Sequence, residues 1–102
     1  MDSKMAIHPG EILKDEFLVP YRLSANKLAY AIGVPANRNW AIVNGVRGIA
    51  GETAALLGPA FSTTPEFWLN LQSRYALGIA ASHVKRDSIR SADAFARELV
   101  HA

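Results

Sequence analysis

A chain of 102 residues is about one domain by length, and half of its residues are apolar against 20% charged, which suits a packed core and excludes wholesale disorder. Eleven basic and nine acidic side chains leave a formal charge of +2. With no cysteine, disulfide scaffolds, thiolate chemistry and cysteine-ligated metal sites are excluded, and no apolar run approaches the roughly 20 residues of a membrane span.

The opening residues, Met1 to His8, lack the apolar core of a signal peptide, so a cytoplasmic protein is expected. Pro9 suits a first helical position, and Glu11, Asp15 and Glu16 fall where the helix dipole favours negative charge. Ile12, Leu13 and Phe17 mark the apolar face of this first helix, at about 9–18, and Pro20 ends it. Ser24 is a good N-cap for a second helix at about 25–32, striped by Leu28, Ala29 and Ile32 and stopped by Gly33. After the short link Val34-Pro35, a third helix runs over about 35–43, and Asn44-Gly45 is a turn signal. A fourth begins near Glu52 with Ala54, Leu57, Ala60 and Phe61; Gly58-Pro59 inside that pattern predicts a short helix or a kink near residue 55. Thr64-Pro65-Glu66 is a strong start for a fifth helix at about 65–80. Within it, Phe67 and Leu71 read as core. Trp68 and Tyr75 carry polar tips and suit either the core or a subunit interface. Residues 83–89 read as a polar linker. Ser91 then caps a short helix at about 92–100, whose Ala92, Phe95, Ala96 and Leu99 form an apolar face that needs a surface to lie on. That face suits the chain's own domain, a second subunit or another partner; Phe95 and Leu99 are read as dimer contacts. No strand pattern or repeat is visible, so the class is all-α with five or six helices.

The second and third helices, joined by a turn containing Gly33, match a helix-turn-helix. Ala29 is small where the third helix must cross it, and Leu28, Ile32, Val34 and Ile42 are placed to lock the pair into one core. Asn37, Trp40, Ala41 and Asn44 then share the opposite face of the third helix, at i, i+3, i+4 and i+7, the face that enters a major groove. Asparagine pairs with adenine edges, so Asn37 is the candidate base reader, while Asn44 suits a base contact or a helix cap. Arg38 and Arg47 flank this face and suit phosphates, as do Ser24, Asn26 and Lys27 at the start of the second helix. No acidic residue occurs from Phe17 to Gly51, so a polyanion can approach that stretch. Asn39 breaks the pattern: it should point inward, where an apolar residue is expected. The alternative is a rotated helix that buries Trp40 and half-exposes Asn39.

Three segments carry a family resemblance. His8-Pro9-Gly10-Glu11-Ile12-Leu13, then Ile42-Val43-Asn44-Gly45 with Arg47-Gly48-Ile49, then Thr64-Pro65-Glu66-Phe67-Trp68-Leu69-Asn70-Leu71-Gln72 together resemble the HigA/VapI antitoxin family of XRE-like helix-turn-helix proteins, over roughly residues 7–78. The resemblance implies a five-helix, lambda-repressor-like DNA-binding domain, placed here at residues 1–80, with the linker and short helix at 81–102. It also implies a homodimer on a palindromic operator in double-stranded DNA, and a RelE-like HigB ribonuclease toxin as partner. The chain departs from the family pattern at Asn39, usually aliphatic; at Trp40, usually small and polar; at Val46, usually basic; at Pro59, often arginine; at Ser62, usually glycine; and at Ala76, often acidic. Two alternatives stay open: a stand-alone repressor, and a toxin-binding or dimerisation module with weakened DNA binding. His8, His83 and His101 stand in unlike contexts with no second ligand at helical spacing, and no catalytic arrangement or glycine-rich phosphate loop is present. Neither an enzyme, a metal site nor a cofactor is expected.

Overall fold

The computed structural model describes residues 6–101. The reading of Met1–Met5 as leaderless, and any role for the His101 side chain, fall outside what is described. Six helices follow in chain order, and the described residues contain no strand.

Helix α1 (Pro9–Ile12) is capped by His8, whose Nδ1 accepts the Gly10 N–H at 2.9 Å. It passes straight into a π-helical turn (Leu13–Leu18), where the Val19 N–H reaches back to the Lys14 carbonyl. Arg22, at φ 55°, turns the chain toward α2 (Ala25–Ile32). Ser24 caps α2 by accepting the Lys27 N–H at 3.0 Å, and Gly33 ends it in the left-handed conformation, at φ 75°, as the turn requires. Helix α3 (Ala36–Val43) follows directly after Pro35. Helix α4 (Gly51–Ala60) runs through Pro59 to its last turn, and the donor missing at Pro59 is the one that would have met the Ala55 carbonyl one turn upstream. Ser62, at φ 56°, holds the left-handed conformation that glycine adopts without strain, in keeping with the glycine that the family resemblance implies there. Thr64 caps α5 (Pro65–Ala81) by accepting the Phe67 N–H at 3.1 Å.

The core is Leu13, Leu18, Leu28, Ile42, Ile49, Ala54, Leu57 and Trp68, with Phe17, Leu23, Ile32, Val43, Phe61 and Leu71 packed against it. The segments from the π-helical turn to α5 all contribute, so the expected α2–α3 lock is one edge of a shared core. Trp68 is 0% exposed and Phe67 37%, which reverses the expected order. The Trp68 indole N–H donates to Thr63 Oγ1 at 2.8 Å, so its polar tip is satisfied inside and does not reach a partner. Phe17, Phe61 and Phe67 pack around it with ring centroids 5.0–6.3 Å away. Trp68 is therefore core and leaves the set of dimer contacts. Tyr75 is half-buried, edge-on to the His8 ring at 4.8 Å.

The C-terminal piece differs from the sequence expectation. Helix α6 (Arg86–His101) starts six residues early and absorbs most of the expected linker, with Ser91 in its interior rather than at its cap. Two features of residues 86–91 favour the longer helix. Asp87 sits in the first turn and pairs with Arg90 at 3.5 Å, and Ile89 extends the stripe of Ala92, Phe95, Ala96 and Leu99 upstream. Ile89, Phe95, Leu99 and Val100 are all exposed.

Candidate nucleic-acid interface

Close backbone packing aims α3 outward. Ala29 is buried beneath it, and the α1 backbone meets the end of α3 so tightly that a Cβ on Gly10 would lie 1.8 Å from the Ile42 carbonyl oxygen. At the far end of the following loop, the Ile49 N–H donates to Gln72 Oε1 at 2.8 Å, and the same amide lies where a Cβ on Gly48 would stand. Gly10 and Gly48 of the first two sequence motifs, and Gln72 of the third, thus act together to fix both ends of the α3-to-loop segment.

The unrotated register is the one observed. Asn39 is 0% exposed and Trp40 is 56% exposed, so the alternative orientation falls away. Asn37, Trp40 and Asn44 stand exposed on one face, and Ala41 is half-buried between them. Neither Asn39 Oδ1 nor Nδ2 has a hydrogen-bond partner. Asn44 Nδ2 donates to the Trp40 carbonyl at 2.8 Å, the helix-capping alternative of its two readings. Beyond it, Gly45 at φ 74° turns the chain back, and the Val46 and Arg47 N–H groups both donate to the Ala41 carbonyl.

The cations divide. Lys27 and Arg47 are exposed and have no close carboxylate among the described residues. Arg38 is only half-exposed: its guanidinium lies 3.7 Å from Glu52 and its Nε is buried without a partner. That draws Arg38 toward α4 and away from the expected phosphate position, because Glu52 is the first carboxylate after the acid-free stretch and the fold brings it back to α3. At the start of α2, Asn26 is exposed, and Ser24 Oγ accepts the Lys27 N–H as the N-cap, which leaves its own hydroxyl hydrogen, beside the helix N-terminus, to face an anion.

His8 closes the back of the site. It lines a groove of about 360 Å³ with Glu11, Lys14, Asp15, Val43, Asn44 and Gly45. Burial lowers its pKa below the ordinary histidine value, against the smaller opposing effects of the Arg47 backbone and Glu11. The neutral ring is also the form that caps α1 through Nδ1. Val46, marked in the sequence as a departure from the family pattern though not as a site residue, is 73% exposed beside Arg47 and is tied to α3 through its N–H on the Ala41 carbonyl. Among the described residues, no cluster of His, Asp or Glu has the makings of a metal site, and no helix is long and apolar enough to cross a membrane.

No family model matches the chain. Virulence-associated protein I of Dichelobacter nodosus is 47% identical over 75 residues, which are 74% of this chain and 69% of its own length. A Pseudomonas aeruginosa protein crystallised with its 18-bp operator DNA superposes with a TM-score of 0.80 at 42% identity, covering 83% of this chain and 91% of the other. The Pseudomonas aeruginosa antitoxin HigA, solved with the higBA promoter, superposes with a TM-score of 0.75 at 46% identity, covering 76% and 85%. Identity and coverage of this order, together with the three motifs and the helix-turn-helix they brace, establish that the chain belongs to the HigA/VapI-type family of helix-turn-helix antitoxins.

Proposed function

We propose that this protein is the antitoxin of a type II toxin–antitoxin pair. It binds operator DNA as a homodimer, represses its own operon and neutralises a RelE-like ribonuclease toxin. The observation that carries the DNA reading is the outward face of α3, in a fold superposing with a TM-score of 0.80 on a protein held on its operator. Asn37 reads a base edge, Arg47 and Lys27 hold phosphates, and the N-terminus of α2 with Ser24 and Asn26 takes another. Arg38 contributes less, because Glu52 competes for it. Residues 1–80 make the DNA-binding unit, and residues 81–102 make the partner contact, with Phe95 and Leu99 of α6 and Tyr75 of α5 toward the second subunit. The protein acts by binding, without a catalytic step of its own.

The test is a fluorescence-anisotropy titration on the DNA directly upstream of the coding sequence, beside a scrambled duplex, at two salt concentrations. Tight binding to the first duplex that weakens steeply with salt is expected. Equal, weak binding to both would sink the operator reading. It would leave a toxin-binding or dimerisation module, for which the exposed apolar stripe of α6 already speaks. A monomer in sedimentation at tens of micromolar would refute the two-fold arrangement, which half-sites one helical turn apart require.

A further inference from the structure

The face of α3 is more apolar than a base-reading helix needs, and the fold makes it more so. Asn44 spends an amide hydrogen on the Trp40 carbonyl, which holds its side chain down at the helix end. Arg38 leans to Glu52. Asn39 is wholly buried. Among the asparagine and arginine side chains of this helix and its C-cap, Asn37 alone stands exposed and unengaged. What fills the centre of the face is an indole: Trp40 lies three residues after Asn37 and four before Asn44, 56% exposed, beside the half-buried methyl of Ala41 and followed by exposed Val46.

An exposed apolar patch needs an occupant, and the charges around this one select it. No acidic side chain occurs from Phe17 to Gly51, and Lys27 and Arg47 are exposed without a close carboxylate among the described residues; of the carboxylates that the fold brings back, Glu52 is paired with Arg38, and Glu11 and Asp15 line the groove at the Asn44 end. A polyanion with apolar groups on its readable surface fits both features. The major groove of DNA offers one such group, the C5-methyl of thymine, and apolar side chains read it by contact. We propose that Trp40, with Ala41 and Val46 beside it, determines operator specificity by packing on thymine methyl groups, so that the half-site of this protein is selected at its centre by thymine rather than by a hydrogen-bonded base edge. The proposal rests on the operator reading above and adds to it the chemistry being read.

The experiment uses the upstream DNA amplified in two forms, with thymidine or with deoxyuridine triphosphate, which differ only in the C5-methyl. Covering one methyl group is equivalent to about a fourfold change in affinity, so a dimer with one covered methyl in each half-site prefers the thymine duplex by about fifteenfold. Trp40→Ala, a change at an exposed position, abolishes the preference, and Trp40→Phe keeps part of it. If the wild-type protein binds both duplexes equally, yet specifically and with a steep salt dependence, the proposal is overturned while the operator reading stands. A preference that survives undiminished in Trp40→Ala also overturns it, because the methyl would then act through DNA deformability. Salt-independent, non-specific binding to both forms overturns both readings together.

Discussion

Replacing Asn39 with leucine should make this protein more stable, although the change puts an aliphatic side chain where a polar one now stands. The side chain is 0% exposed, and neither its oxygen nor its nitrogen has a hydrogen-bond partner. An orphaned buried polar group costs about 1–3 kcal/mol, because the water it gave up on folding is not replaced. Leucine has the same number of side-chain heavy atoms and the same branch at Cγ, so it removes the penalty and adds apolar burial. Opposing this is repacking around tetrahedral methyl groups where a planar amide sat, which costs about 1–3 kcal/mol in a dense core. The balance is a gain of about 2 kcal/mol once the added burial is counted. For a domain of this size that raises the thermal midpoint by about 10 °C and the urea midpoint by about 1–2 M at unchanged slope. Thermal circular dichroism and urea titration followed by the fluorescence of buried Trp68 measure both, at one fixed protein concentration so that association does not shift the midpoint. A variant no more stable than wild type, folded and with the same urea slope, would refute the reasoning: the amide would then be satisfied in solution.

The two glycines Gly10 and Gly51 both lie in first helical turns, and alanine at them should act in opposite directions. At Gly10 a Cβ meets the Ile42 carbonyl at 1.8 Å, so Gly10→Ala should destabilise by more than about 2 kcal/mol; at Gly51 nothing lies within 4 Å, so Gly51→Ala should be neutral or stabilise by about 0.5 kcal/mol in the same urea assay. His8 has its pKa lowered in the fold, so the unfolded chain binds its proton first, and the stability contribution present above about pH 6.5 is lost as pH falls from there toward the folded value. His8→Asn, which keeps a capping side chain without a titrating ring, should therefore show a smaller fall in urea midpoint between about pH 7 and about pH 5 than wild type. Arg47→Ala should weaken binding to specific and scrambled duplexes alike and flatten the salt slope by roughly one; an unchanged slope would remove Arg47 from the phosphate contacts.

Local signals placed most of the helices. Ser24 and Thr64 cap where their types and positions predict, Gly33 stops α2 in the left-handed conformation, and Pro65 opens α5. These are interactions between residues close together in the chain, and short-range patterns carry them completely. The inward position of Asn39 was legible for the same reason: helical periodicity assigns faces whether or not the residue suits the face it receives. The errors lie where the deciding contact is distant or the pattern is ambiguous. Phe67 and Trp68 are neighbours on one turn, and their order of burial depends on Thr63, which offers the indole N–H an acceptor inside. The early start of α6 was lost to a polar run that reads as linker in composition but holds an i,i+3 ion pair.

By itself, the sequence determined the all-α class, the helix-turn-helix and its outward face, and, through three spaced motifs, the family. Those features follow from helical period, caps and turn residues, all local in the chain. Only the tertiary structure decided which side chains on that face remain free to read DNA. Glu52 returns from α4 to draw off Arg38, and the approach of α1 through Gly10 holds the register that leaves Trp40 outside. Each is set by how the elements pack in space, where small differences in distance decide whether a side chain is engaged or available.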